Sequence, residues 1–135
     1  EYHIGENGSD PILLKAGKIT FYSKDGYALT EDMTFSSQDE KGDIVFSGSA
    51  GRGKVNTDGS NMSLWGGVVF KDEKRGMEIR AENLELDRDE DTIVADGKVM
   101  VESEEGRFSG YDFKGDMKTG VYIFSEIEEG ELNFE

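Results

Sequence analysis

"NLELDRDEDTIVADGKVMVESEEG", residues 83–106, decides the fold. Apolar and charged residues alternate through "NLELD", pause at the acid run "DRDED" (87–91), then alternate again until a Gly. A period of two sends successive side chains to opposite faces, which is the signature of a strand buried on one side. The stretch reads as strand, acidic turn, return strand and tight turn. No window of ten residues in the chain holds the i, i+3, i+4, i+7 spacing of an amphipathic helix.

The same period runs outward in both directions from residue 12 onward. "KITFY" puts Ile19 and Phe21 on one face, and "YALTEDMTF" puts Tyr27, Leu29, Met33 and Phe35 together, with Glu31 as the exception. "DIVFSG" aligns Ile44 with Phe46, while "NMSLWGGVVF" gives Met62 and Leu64 and, past the Gly66-Gly67 break, Val68 and Phe70. "MEIRAENLEL" carries Met77, Ile79 and Ala81, then slips by one residue so that Leu84 and Leu86 continue the face. Ile93, Ala95, Val99, Val101, Phe108 and Phe113 extend it, and the last segment pairs either Tyr122 with Phe124 or Val121 with Ile123.

The connectors "SKDG" (23–26), "NTDG" (56–59), "EKRG" (73–76) and "SEEG" (103–106) are short and end in Gly. Such turns join sequential antiparallel neighbours. The segment 77–97 lays over 27–48 with one small gap, 64–76 resembles 95–106, and 107–124 is a weaker third copy. Repeated hairpins with one apolar face build two facing sheets or one rolled sheet. Glycines at 48, 66–67, 97, 110 and 115 interrupt strands and are expected to mark bends. Residues 1–11 lack a period and end at Pro11, the single proline. They read as an irregular lead-in to one β domain over 12–135.

Composition removes several function classes. Thirty Asp and Glu against fifteen Lys and Arg leave a net charge of −15, and the basic residues sit beside acids, as in Lys71-Asp72-Glu73-Lys74-Arg75. Nucleic acid and anionic membrane surfaces both require clustered cations, so neither is an expected partner. No cysteine is present, which excludes disulfides, thiolate metal sites and Cys nucleophiles. The one histidine, His3, lies in the lead-in, away from any triad partner, and no catalytic residue stands out. Among thirty acids no carboxylate pair is singled out for glycoside hydrolysis, and the lone Trp65 is the one candidate sugar platform. "DRDED" lacks the ligand spacing and internal Gly of a calcium loop, so it reads as a solvated turn, with no metal and no cofactor implied.

What remains is the apolar face itself. Its candidate groove residues are Ile19, Phe21, Leu29, Met33, Phe35, Phe46, Leu64, Phe70, Ile79, Leu84, Leu86, Ile93, Val99, Val101, Phe108 and Phe113. Met33, Met62, Met77, Met100 and Met117 add adaptable side chains along the chain. Either the face is an ordinary core or the sheets stay apart and accept acyl chains, where each buried methylene is worth about 0.8 kcal/mol. A structural or adhesive module and a carbohydrate-binding module are the competing readings.

"AENLELDRD", "IVADGKVMVESEEG" and "FSGYDFKGD" in that order resemble the repeat of the periplasmic lipopolysaccharide-transport family that includes LptC, LptA and the N-terminal domain of LptD. The resemblance covers about residues 16–124, and "LLKAGKITFY…GYALTEDMTF" is most similar to the opening of LptC-like domains. It implies an all-β, twisted, open-ended antiparallel β-jellyroll with no enzymatic activity. The implied ligand is lipopolysaccharide or a related glycolipid, carried by its acyl chains from an inner-membrane ABC transporter toward the outer membrane. The implied partners are LptA-like and LptF/LptG-like jellyrolls, docked strand edge to strand edge, with Val121, Tyr122, Ile123 and Phe124 as the candidate docking strand. The implied location is the periplasm, with an inner-membrane anchor preceding residue 1. The chain departs from expectation in its acidity, which leaves no general attraction for an anionic headgroup.

Overall fold

The computed structural model describes residues 2–4 and 11–132. They form nine strands: β1 (Tyr2–Ile4), β2 (Ile12–Tyr22), β3 (Tyr27–Gln38), β4 (Ile44–Asn56), β5 (Asn61–Asp72), β6 (Met77–Asp87), β7 (Thr92–Ser103), β8 (Gly106–Asp116) and β9 (Val121–Leu132). Each strand pairs antiparallel with its chain neighbours, so the sheet order is the chain order. The meander follows from the turns, since every connection from β2 onward is too short for anything but a hairpin.

The lead-in departs from expectation. Tyr2–Ile4 forms β1 and pairs with Ile12–Leu14. Main-chain pairing to an open edge depends little on side-chain pattern, so a three-residue strand leaves no periodic signal. The side chain of His3 lies outside the described residues.

Strands β2 to β9 are long, at eleven to thirteen residues, and the central ones break near their middle. Asp32, Gly66, Gly67, Gly97 and Asp112 all have positive φ, and the register shifts at Ser49/Arg52, Trp65/Val68, Ala81/Glu85 and Ala95/Lys98. Gly66 and Gly67, at φ of 78° and 83°, hold a conformation that a side chain with Cβ resists. At Asp112 the carboxylate takes part in the bend, accepting a 3.2 Å hydrogen bond from the Gly97 amide. At Asp32 in β3, and between Ile79 and Leu84 in β6, the break shifts the alternation by one residue, whereas at Gly66-Gly67 in β5 and Gly97 in β7 the phase continues unchanged; in either case both halves of the strand keep apolar side chains inside.

The line of breaks folds the sheet into two facing layers. Asp72 of β5 and Tyr122 of β9 are four strands apart in the sheet, yet the Tyr122 hydroxyl donates to Asp72 Oδ2 at 3.1 Å. Only a sheet doubled on itself permits that contact. The result is the twisted antiparallel jellyroll, with one apolar interior between its layers.

Not all interrupting glycines are bends. A Cβ on Gly48 would meet the Val69 carbonyl and come within 2.5 Å of the Phe35 ring, and one on Gly115 would lie 2.6 Å from the Tyr122 ring. These two make room for aromatic side chains.

Candidate functional site

Two registered rows line the interior. In the first layer Leu14, Phe35, Gly48, Phe70, Ile79, Val101 and Phe108 stand opposite one another from β2 to β8. In the second, Ala28, Val55, Met62, Leu86, Ile93, Gly115 and Tyr122 do the same from β3 to β9. Together they make a trough running across the strands. Its back is the fold line, its two ends are the edge strands, and its long open side is where the turns of the two layers approach.

The predicted groove residues mostly converge on this trough. Met33, Phe35, Phe46, Leu64, Phe70, Ile79, Leu84, Leu86, Ile93, Val99, Val101 and Phe113 are buried in one cluster, and Ile19 packs against it. Phe108 is half-buried beside Val101. Phe21 pairs with buried Ala28 and so faces inward, but it sits near the end of β2 and is 48% exposed.

Leu29 is a correction. It lies between Ala28 and Thr30, which are both buried, so it points outward and is 36% exposed. The bend at Asp32 shifts the phase, placing Ala28 and Thr30 on the face that Met33 and Phe35 continue. Ile44 and Met100 are likewise outside, at 46% and 45% exposed. Ile12, Leu14 and Val55, absent from the expected groove, are fully buried in it. Trp65 stands on the outer face in register with Arg52 and Asn83. The acid run is a turn in which Asp87 Oδ1 accepts from the amides of Asp89 and Glu90.

The interior is filled along most of its length. Phe46 and Phe70 stack at 5.5 Å between ring centres, with Phe35 at 6.3 Å from each. At the β8–β9 end the packing loosens. There an opening of about 460 Å³ is lined by Met77, Val101, Phe108, Phe113, Tyr122, Ile123, Phe124 and Ile127, with Ser103 and Glu105 as its other members. That volume lies within the range of small-ligand sites, and its walls share Met77, Val101 and Phe113 with the core. The Phe113 ring stacks on Tyr122 at 5.6 Å and tilts against Phe124 at 5.1 Å.

Of the two alternatives for the last strand, Tyr122 and Phe124 face inward, while Val121 and Ile123 are exposed on the other face. All four lie on an edge strand, because β9 pairs with β8 alone among the described strands. At the opposite edge β1 covers only Ile12–Leu14 of β2.

One polar group crosses the open side. Asp72, at 4% exposed, is the one charged residue among the buried side chains described. Its Oδ2 accepts from Arg75 Nη1 at 3.0 Å and from the Tyr122 hydroxyl, and its Oδ1 accepts from the Arg75 amide at 3.2 Å. Arg75 Nη2 reaches on to the Met117 carbonyl at 2.6 Å, in the turn between β8 and β9. Burial, followed by the Asp72 carboxylate, pushes the Tyr122 phenol up to about 12. Hydrogen bonding to Asp72 raises the Arg75 guanidinium above its usual value. The charge run 71–75 gave the acids and bases of this group, but its partner Tyr122 lies fifty residues on.

The sequence profile of the family described as "Lipopolysaccharide-assembly, LptC-related" matches residues 2–126. Sequence comparison with curated proteins gives no match. Among solved structures, the chain is similar to LptH of Pseudomonas aeruginosa, described as the LptA homologous periplasmic component of the conserved lipopolysaccharide transport device. The match has a TM-score of 0.75 at 12% identity and covers 93% of this chain and 96% of that one, a likeness of fold.

Proposed function

This chain belongs to the LptC-related family of lipopolysaccharide-assembly proteins, and from that premise we propose that it is a periplasmic bridge module whose trough holds the acyl chains of lipopolysaccharide or a related glycolipid. The opening at the β8–β9 end carries the reading, because it exposes a continuation of the apolar interior to an incoming hydrocarbon. Acyl chains lie against Phe108, Phe113 and Phe124, and the sugar and phosphate portion stays outside the trough. Transfer beyond the opening requires the layers to part, since side chains fill the middle.

The module works in a chain of like jellyrolls between an inner-membrane ABC transporter and the outer membrane, held at the inner membrane in the full-length protein. Strand β9 offers one face of unpaired main-chain donors and acceptors, and Lys15–Tyr22 of β2 offers another among the described residues. An LptA-like jellyroll adding a strand to one edge and an LptF/LptG-like jellyroll to the other would extend both layers and the trough between them. Glu126, Glu128, Glu129 and Glu131 along β9 discourage indiscriminate pairing of this edge.

Photo-crosslinking tests the proposal. Benzophenone side chains at Phe108 and Phe124 are expected to capture lipopolysaccharide in cells, whereas the same group at outward Leu29 and Met100 is not. Equal labelling at all four positions, or none at Phe108 and Phe124, would remove the lipid reading.

A further inference from the structure

We propose that Asp72, Arg75 and Tyr122 form a clasp that opens to admit an acyl chain through the long side of the trough; the inference rests on the lipid-holding reading above. The clasp stands between two hollows. On one side is the largely apolar opening bounded by Met77 and Tyr122; on the other is a hollow of about 300 Å³ where Phe46 and Met117 meet the charged Asp72, Lys74, Arg75, Arg88 and Asp91. Releasing the Tyr122–Asp72 and Arg75–Met117 hydrogen bonds removes the side-chain bridge between β5–β6 and β8–β9, and joins the two hollows into one slot along the open side.

The chemistry of the clasp suits a closure that works reversibly. A buried ion pair loses much of its Coulomb gain to desolvation, so an apolar contact would fasten the layers more firmly. The Arg75 side chain is one-third exposed, so water can take over its hydrogen bonds as the clasp opens. Tyr122 belongs to both states: its hydroxyl closes the clasp, while its ring stacks on Phe113 in the wall that a hydrocarbon would touch. On the same side Arg88 lies over the Phe46 ring, 5.8 Å from its centre. The opposite side is closed by the continuous backbone of the bends. Parting the layers on this side therefore has to release the clasp.

The test is the rate of uptake of pyrene-labelled hexadecanoic acid, followed by stopped-flow fluorescence on the whole chain. Tyr122→Phe and Arg75→Gln are expected to take up the probe roughly tenfold faster than the wild type, the rate equivalent of one hydrogen bond to a charged group. The chain has no cysteine, so Asp72→Cys with Tyr122→Cys supplies a unique pair for a cleavable bis-maleimide linker. The linked form is expected to load roughly tenfold more slowly or worse, by the same conversion of barrier to rate, and to recover when the linker is cut. It also keeps the test decisive should a single variant fold poorly. Equal rates in wild-type, Tyr122→Phe, Arg75→Gln and linked proteins would overturn the clasp while leaving the trough standing. A wild type that takes up no probe would overturn the trough, and the clasp with it.

Discussion

The stretch from β3 to β7 and the final pair β8–β9 are written in the same alternating code, yet they end in different states. Phe70, Leu84, Ile93 and Val99 are fully covered, whereas Phe108, Tyr122 and Phe124, the next members of the same pattern, are only partly so. The difference lies in neighbours. An inward side chain on a middle strand is flanked on both sides and faced by the other layer. On β9 one flank is missing, so the interior reaches the edge without being finished. An apolar row truncated in this way is a surface prepared for another layer of protein or for a hydrocarbon.

The sharpest way to break this comparison is to charge the filled region. Leu86→Asp places a carboxylate at a site 1% exposed, with no partner for it, and is expected to cost about 4 kcal/mol or more and leave little folded protein in a urea titration. A cooperative transition near that of the wild type would mean that water already reaches the middle of the trough. Truncation compares the two regions directly. Phe70→Ala is expected to cost about 3–5 kcal/mol, as for a fully buried ring. Phe124→Ala should cost clearly less, about 1–2 kcal/mol, since part of its area is already in water. Equal losses in calorimetry would show that the opening is as well packed as the core.

The smallest effect is a dependence on pH. The Tyr122 phenol is raised from 10.0 to about 12, so its neutral form is favoured in the folded state. The stability this gives is complete below about pH 10 and fades as the pH climbs toward 12. In absorbance at 295 nm Tyr111, raised by its hydrogen bond to Glu128, also ionises late, so Tyr122→Phe should remove one late-ionising tyrosine and flatten the fall in melting temperature over that window. A phenol ionising with the others would place Tyr122 outside the clasp.

Much of this architecture could be read from the residues. The slip before Leu84 and Leu86 and the break at Gly66-Gly67 were visible because the alternation changed phase in view or a glycine pair announced the bend. The bend at Asp32 gave no such sign. An aspartate with φ of 51° looks like any polar residue in sequence, so alternation alone puts Leu29 on the wrong face. Glu31, the exception in that segment, was the trace of it. Met100 is ambiguous for a different reason: in "KVMV" three consecutive apolar residues hide which parity faces inward, and only Val99 and Val101 are buried. The clasp was hidden because its members are joined by the doubling of the sheet, which no local pattern encodes.

Chain-order pairing has one more consequence. Because the strands pair in chain order, each backbone pairing closes only a short loop, and short loops cost little entropy to close. Strands can add one after another as the polypeptide emerges, each newcomer finding its template already in place. The same economy of wiring lets a gene lengthen the protein by duplicating a hairpin, with nothing elsewhere to be reconnected. The reach of such a conduit can thus be adjusted in steps of one repeat.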